Sequence, residues 1–197
     1  MQALLRLSKA IDWLNERVGR AVLWLVLVAV LISAGNALVR KLFDTSSNAW
    51  LEIQWYLFSA IFLLCSGYTL LRNEHVRIDV FHGHTSLRTQ AKIDIFGLLV
   101  FLLPAMCLIG WLSWPFFLRA FESGEMSQNA GGLIRWPVYI LMPIGFTLLC
   151  LQGVSELIKR VAFLKGLIAS PVYSKHGKTA EEELVDEIRA MAEGESK

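Results

Sequence analysis

The chain has 197 residues, of which 55% are hydrophobic and only 18% are charged. Soluble domains carry about 25% charged residues, so this composition excludes an ordinary soluble fold and indicates a membrane protein. The formal net charge of +2 is too small to indicate nucleic-acid binding. Little of the chain is left over for a soluble catalytic domain.

Four apolar runs are long enough to cross a bilayer, since about 20 helical residues span a hydrocarbon core of roughly 30 Å. We therefore predict an all-α integral membrane protein whose four transmembrane helices form one domain over residues 21–165. The runs are Ala21–Val39, Trp50–Leu71, Ile95–Leu118 and Pro137–Ile158.

Residues 1–20 precede the first run and have a helical pattern of their own. Apolar residues recur at spacings of three and four, and Asp12 and Glu16 fall mostly on the other face. We predict an amphipathic helix lying on the membrane surface. The alternative is a straight extension of the first transmembrane helix. The apolar positions are Leu4, Leu7, Ile11, Leu14 and Val18.

The distribution of basic residues predicts the orientation of the chain. The five segments outside the helices carry four, two, four, two and seven Lys and Arg residues in chain order. Basic residues favour the cytoplasmic side, so both termini and the second loop are predicted to be cytoplasmic. Trp50, Trp114 and Trp136 all fall on the opposite, outer interface, where indole rings are enriched.

The second loop, residues 72–81, is rich in charged residues, and we predict a helix or turn there. Glu74 and Arg77 would be neighbours on a helix, and Asp79 lies close by. These three residues are candidates for bracing the loop or contacting a partner protein. The nearby histidines have no common metal-site spacing, so no metal site is predicted. They are His75, His82 and His84.

The outer segments contain the remaining candidate contact residues. Glu52 is the only carboxylate of the second run, and it could pair with Arg119 or Arg135 on the same side. Gly131 and Gly132 predict a tight turn in the third loop. Pro137 is suited to the first turn of the fourth helix. The candidates for an outer docking surface are Glu52, Arg119, Glu122, Glu125 and Arg135.

Small residues within the runs predict close helix packing. The positions are Ala29, Ser33, Ala37, Ala60, Gly67, Gly145 and Gly153. Cys65, Cys107 and Cys150 are interpreted as small buried apolar residues. No cofactor site or catalytic motif is predicted. Residues 166–197 are predicted to be an acidic cytoplasmic tail, with a helix capped by Thr179 and Glu182.

Several segments together resemble the small membrane subunit of TRAP transporters, the DctQ family. They follow one another in the order found in that family, over about residues 10–165. The segments are Arg72–Phe81, Thr89–Asp94, Asn129–Pro137 with Gly145, and Leu151–Glu156.

The resemblance implies a role in a tripartite secondary transporter, usually sodium-driven, that imports small organic anions through a bacterial inner membrane. In that family a periplasmic binding protein captures the substrate, and a large membrane subunit moves it by an elevator motion. The small subunit forms a stable heterodimer with the large one and helps the binding protein to dock transiently. The resemblance implies that this chain binds neither substrate nor sodium.

Two other functions remain open from the residues alone. The chain could be an autonomous small transporter that uses Glu52 as its coupling carboxylate. It could also be a membrane redox enzyme, provided that two of Cys65, Cys107 and Cys150 can meet. The shallow position of Glu52 disfavours the first, and the absence of a catalytic motif disfavours any enzyme.

Overall fold

The computed structural model describes residues 1–44, 47–73 and 86–168. Glu74, Arg77 and Asp79, the histidines beside them, and the predicted tail helix all lie outside the described residues. The sites proposed for those segments therefore stay predictions.

The described chain forms four helical rods, each long and apolar enough to cross a membrane, which confirms the predicted all-α membrane fold. The first two rods are single helices, the third contains a π-helical segment, and the fourth begins with a short helix. The elements are α1 (Gln2–Phe43), α2 (Asn48–Arg72), α3 (Leu87–Gly97), the π-helical segment Leu98–Leu102, α4 (Leu103–Ser123), α5 (Trp136–Tyr139) and α6 (Leu141–Leu164).

Helix α1 runs without a break through 42 residues, which is roughly 60 Å of helix. The structure therefore follows the alternative, and the predicted separate surface helix at residues 1–20 is not seen. The reason is that the polar face of this segment is buried: Asp12, Asn15 and Glu16 pack into the bundle. A helix lying flat on the membrane could not keep those contacts.

The fourth rod is the centre of the bundle. Helix α6 packs against α1, α2, α3 and α4, and α1 and α2 also pack against each other. Among the described residues, the substantial contacts of the third rod, from α3 to α4, with other rods are those with the fourth rod. The arrangement is a three-helix core of α1, α2 and α6 with the third rod attached to one side of α6.

Glycines allow the closest approaches between helices, as the small-residue pattern predicts. A Cβ atom added to Gly145 of α6 would lie 2.7 Å from the carbonyl oxygen of Leu63 in α2. A Cβ added to Gly67 of α2 would lie 2.2 Å from Oδ1 of Asn15 in α1. Ala37, by contrast, is exposed, so not every predicted small residue packs within this chain.

The π-helical segment precedes Pro104, and the proline accounts for it. Proline has no N–H, and its ring would clash with the carbonyl four residues earlier in a regular α-helix. A wider turn over residues 98–102 relieves that clash while keeping the rod continuous. Pro137 begins α5 in the first turn, as predicted.

Candidate functional site

The loop between α4 and α5 folds into a short hairpin at the end of the bundle that the charges predict to be outer. The backbone N–H of Ser127 donates to the carbonyl of Leu133 at 2.9 Å, and that of Arg135 donates to the carbonyl of Glu125 at 2.9 Å. Gly131, with a φ of 70°, lies at the tip of the hairpin. This backbone conformation suits glycine, and it confirms the predicted turn.

One face of α2 holds this hairpin. Asn48 and Tyr56 lie on that face on either side of Glu52, each four residues from it, so their side chains point the same way. Asn48 donates through Nδ2 to the carbonyl of Ala130 at 3.0 Å. The hydroxyl of Tyr56 donates to the carbonyl of Ile134 at 2.9 Å. The start of α2 is therefore the platform on which the hairpin rests.

Glu52 makes the central contact of this platform. Its carboxylate accepts hydrogen bonds from the hydroxyl of Ser127, from Nδ2 of Asn129 at 2.8 Å and from the backbone N–H of Leu133 at 2.6 Å. The residue is only 1% exposed. Three donors thus surround one buried carboxylate, which is the way a protein satisfies such a group.

This geometry corrects two predictions about Glu52. In the described part of the chain, the carboxylate forms no ion pair with Arg119 or Arg135, because the donors of the hairpin occupy it. Glu52 is also unavailable as a surface contact, since the hairpin covers it. Its role in this structure is to fix the hairpin to α2.

The other predicted outer charges lie on the hairpin or beside it. Arg135 pairs with Glu125, with Nη1 to Oε1 at 3.2 Å, and also donates to the hydroxyl of Tyr139 at 3.3 Å. The hydrogen bond to Tyr139 and the nearby carboxylate raise the pKa of Arg135 above its usual value, so it stays charged. Arg119 and Glu122 are exposed at the end of α4.

A second polar cluster joins α1 to α6 at the opposite end of the bundle. Asp12 accepts hydrogen bonds from Gln152 at 2.9 Å and Ser155 at 2.6 Å, and it pairs with Nζ of Lys159 at 3.3 Å. Asn15 donates to Oε1 of Gln152 at 3.0 Å. Asn15, Gln152 and Ser155 have no measurable solvent exposure.

The cluster also reaches the other two rods. Glu156 of α6 is paired with both Lys159 and Arg160. Arg160 donates through Nε to Asp94 of α3 at 2.8 Å, and Arg72 at the end of α2 lies 3.6 Å from Glu16 of α1. Charged side chains from all four rods therefore meet here in pairs of opposite sign, as buried charges require.

This cluster was not predicted from the sequence, although the chain carries a signal for it. Polar residues in the first half of α1 recur at spacings that place them on one helical face. The polar residues of α6 recur with the same periodicity, so the two stripes can face each other. The stripes are Ser8, Asp12, Asn15 and Glu16 in α1, and Gln152, Ser155, Glu156, Lys159 and Arg160 in α6.

The cysteines differ from their interpretation as buried packing residues. Cys107 is exposed, and Cys65 and Cys150 are only partly buried. The Sγ atoms of Cys107 and Cys150 lie 3.5 Å apart. Within the described ranges, no three His, Cys, Asp or Glu side chains come together as a metal site.

Comparison with known protein families shows to which family the chain belongs. The family model described as tripartite ATP-independent periplasmic transporters, DctQ component, matches residues 29–163. The chain belongs to the DctQ family. It is therefore a small membrane component of a TRAP transporter. Searches of curated proteins and of solved structures gave no match for this DctQ chain.

The DctQ match covers the hairpin cluster around Glu52 and the α6 half of the second cluster, whereas the α1 half, which includes Asp12 and Asn15, precedes the matched residues. The segment 129–137 forms the second half of the hairpin that Glu52 holds, and the segment 151–156 supplies Gln152, Ser155 and Glu156 to the opposite cluster. The residues that carry the family resemblance in these two segments are thus the residues that join the rods. In this DctQ chain they stabilise the bundle and its outer hairpin.

Proposed function

We propose that this chain is the scaffold subunit of a sodium-driven TRAP transporter that imports small organic anions such as carboxylates. In this proposal it anchors the large elevator subunit in the inner membrane and has no catalytic or transport activity of its own. The proposal rests on one observation: these buried carboxylates are already bound by other groups of the same chain. Asp12, Glu52 and Glu156 are bound by side chains or backbone of neighbouring elements.

A carboxylate that couples transport to an ion must exchange partners during the cycle. Glu52 is the residue on which the alternative, an autonomous small transporter, depends. Its three donors hold a hairpin against α2 and leave the residue 1% exposed, so a cation could reach the carboxylate only if the hairpin moved away. This arrangement favours a structural role for Glu52 and supports the scaffold proposal over the alternative.

The outer surface of the bundle is suited to binding a stable partner within the membrane. Large apolar side chains cover the faces of the rods, including Phe62, which is 78% exposed, and Trp111, which is 77% exposed. Lipid tails or another membrane protein can cover such faces. We propose that the large subunit covers part of this surface and that lipids cover the remainder.

The hairpin is suited to serve as the docking site for the periplasmic binding protein. The clamp by Glu52 makes the hairpin a pre-organised surface, and such surfaces lose less conformational entropy on binding. Arg119, Glu122 and Glu125 are exposed there and could steer a charged partner. In this proposal both termini are cytoplasmic and the hairpin is periplasmic, in agreement with the basic residues of the loops.

Glu74, Arg77 and Asp79 complete the proposed contact set at the cytoplasmic end. We expect Arg77→Ala or Asp79→Ala to lower transport by reducing the amount of assembled transporter, with the apparent affinity for substrate unchanged. Quantitative blotting of the complex alongside uptake assays tests this. Normal amounts of intact complex in a variant with poor uptake would contradict it.

The primary test is co-purification of the tagged chain from its native membrane under mild extraction. The proposal expects a stoichiometric large membrane protein to accompany it. If the chain purifies alone as a homodimer and moves solute in liposomes, the scaffold role is wrong. Replacement of Cys65, Cys107 and Cys150 by Ser should leave uptake intact, and loss of uptake with the complex assembled would instead favour a redox role.

A charge-reversal pair tests the docking surface. Glu122→Lys should weaken productive interaction with the binding protein, raising the binding-protein concentration needed for half-maximal uptake, without changing complex yield. Lys92→Glu is the matched control, because Lys92 is exposed at the opposite end of the third rod. Equal uptake curves for the two variants would refute docking at this surface.

A further inference from the structure

A groove between the third and fourth rods brings two thiols together. It has a volume of about 940 Å³, and its walls are mostly apolar. Cys107 of α4 and Cys150 of α6 both line it, with their Sγ atoms 3.5 Å apart. Both residues lie near the middle of their rods, at the depth where lipid-soluble molecules dissolve.

We propose that Cys107 and Cys150 form a redox modification site, a reversible disulfide made by a lipid-soluble two-electron acceptor of the quinone class. The reaction forms one S–S bond and breaks both S–H bonds. The two electrons and two protons pass to the quinone, which becomes a hydroquinone. A dithiol reductant reverses the reaction.

The geometry allows the bond to form with a small movement. A disulfide has an S–S distance of about 2.05 Å, so the sulfur atoms must approach by about 1.5 Å. Among the described residues, the substantial contacts of the third rod outside itself are with the fourth rod, so a small shift of the third rod would disturb no other large interface there. At Gly110, one turn from Cys107, an added Cβ would lie 3.5 Å from Cβ of Phe146, an ordinary contact, so packing between the rods there is not tight. At Gly153, one turn from Cys150, an added Cβ would lie 2.9 Å from Cδ2 of Leu102, so packing on that side is closer, but the contact is with the end of a flexible side chain.

The position of the pair determines what oxidation would do. In the part of the chain that the structure describes, the third rod packs on the fourth, so a disulfide across their contact would join these two rods covalently. Oxidation would then fix the width of the groove and the angle at which the third rod leaves α6. Cys65 lies on α2 and does not line this groove, so the chain contains its own control cysteine.

Peptide mapping tests the proposal on the full chain in membranes. The oxidant is duroquinone, whose ring positions are all substituted, so that it oxidises thiols without adding to them. Trypsin cleaves after Lys92, Arg119, Arg135 and Lys159, which places the two cysteines on separate peptides. The proposal expects the peptides 93–119 and 136–159 to be disulfide-linked after treatment and separate after reduction.

Two comparisons make the result decisive. The linked pair should persist in Cys65→Ser and disappear in Cys107→Ser and Cys150→Ser. In the unaltered chain, where folding is not in question, N-ethylmaleimide added after oxidation and denaturation should label Cys65 alone. Separate peptides in the oxidised unaltered chain would overturn the proposal, and so would a link that includes Cys65 or joins two chains.

Discussion

The contact of Gly145 with α2 gives the sharpest test of how this bundle is packed. We expect Gly145→Ala to destabilise the protein. The added Cβ would lie 2.7 Å from the carbonyl oxygen and 2.8 Å from Cβ of Leu63, whereas ordinary contacts begin at 3.4 Å. The two helices must therefore separate by about 0.7 Å, because neither of these Leu63 atoms can rotate away. Overpacking of this kind costs about 1–3 kcal/mol.

Helix propensity acts in the opposite direction to the steric clash, and this difference defines the control variant. Alanine is favoured over glycine in a helix by about 1 kcal/mol, and that gain applies wherever space is available. Gly35 in α1 is such a position, since an added Cβ would have no neighbour within 4 Å. Gly35→Ala should therefore be neutral or mildly stabilising, while Gly145→Ala should be less stable than the parent.

The assay is thermal unfolding of the purified full chain in one detergent, followed by tryptophan fluorescence and by the loss of the monodisperse chromatographic peak. Adding Leu63→Ala should not rescue Gly145→Ala, because alanine retains both the carbonyl and the Cβ that clash. Equal stability of Gly145→Ala and Gly35→Ala would refute the close approach of α2 and α6. Rescue by Leu63→Ala would show that the clash is with the outer part of the Leu63 side chain and not with its carbonyl oxygen and Cβ.

Two further predictions concern the polar clusters. Glu52→Gln should loosen the hairpin, because the side-chain amide cannot accept hydrogen bonds from all three donors at once. Hydrogen exchange of the backbone amide of Leu133 should therefore become faster, and an unchanged exchange rate would contradict the role of Glu52 in holding the hairpin. Lys159→Met should cost about 3 kcal/mol or more in unfolding free energy, because it leaves Asp12 with an uncompensated buried charge. Arg20→Ala, at a 54% exposed side chain, should cost below about 1 kcal/mol in the same denaturation assay, and similar losses would argue against burial of the Lys159 pair.

The transmembrane rods could be predicted from the sequence because their signal is local. The second apolar run, Trp50–Leu71, differs from α2 by two residues at its start and one at its end. Hydrophobic length alone determines such a segment. The turn at Gly131 and the proline at the start of α5 were also predicted, since each depends on the backbone preference of a single residue.

The polar clusters could not be predicted because their partners are distant in sequence. Asp12 looks like a water-facing residue on an amphipathic helix until Gln152 and Lys159, about 140 positions later, supply the complementary groups. Glu52 presents the same difficulty. Its negative charge favoured the prediction of an ion pair with Arg119 or Arg135. A buried carboxylate is satisfied equally by neutral hydrogen-bond donors, and the hairpin provides three of them close together.

The central position of α6 has a consequence for how the chain is made. A ribosome synthesises the first three rods before the one on which they all converge. Until residues 152–160 emerge, Asp12 lacks the lysine that neutralises it, and Asn15 lacks the side chain of Gln152 to which it donates. Completion of the last helix is therefore the event that closes the structure, and a nascent chain interrupted before it would present unmatched polar groups to the proteases that survey the membrane.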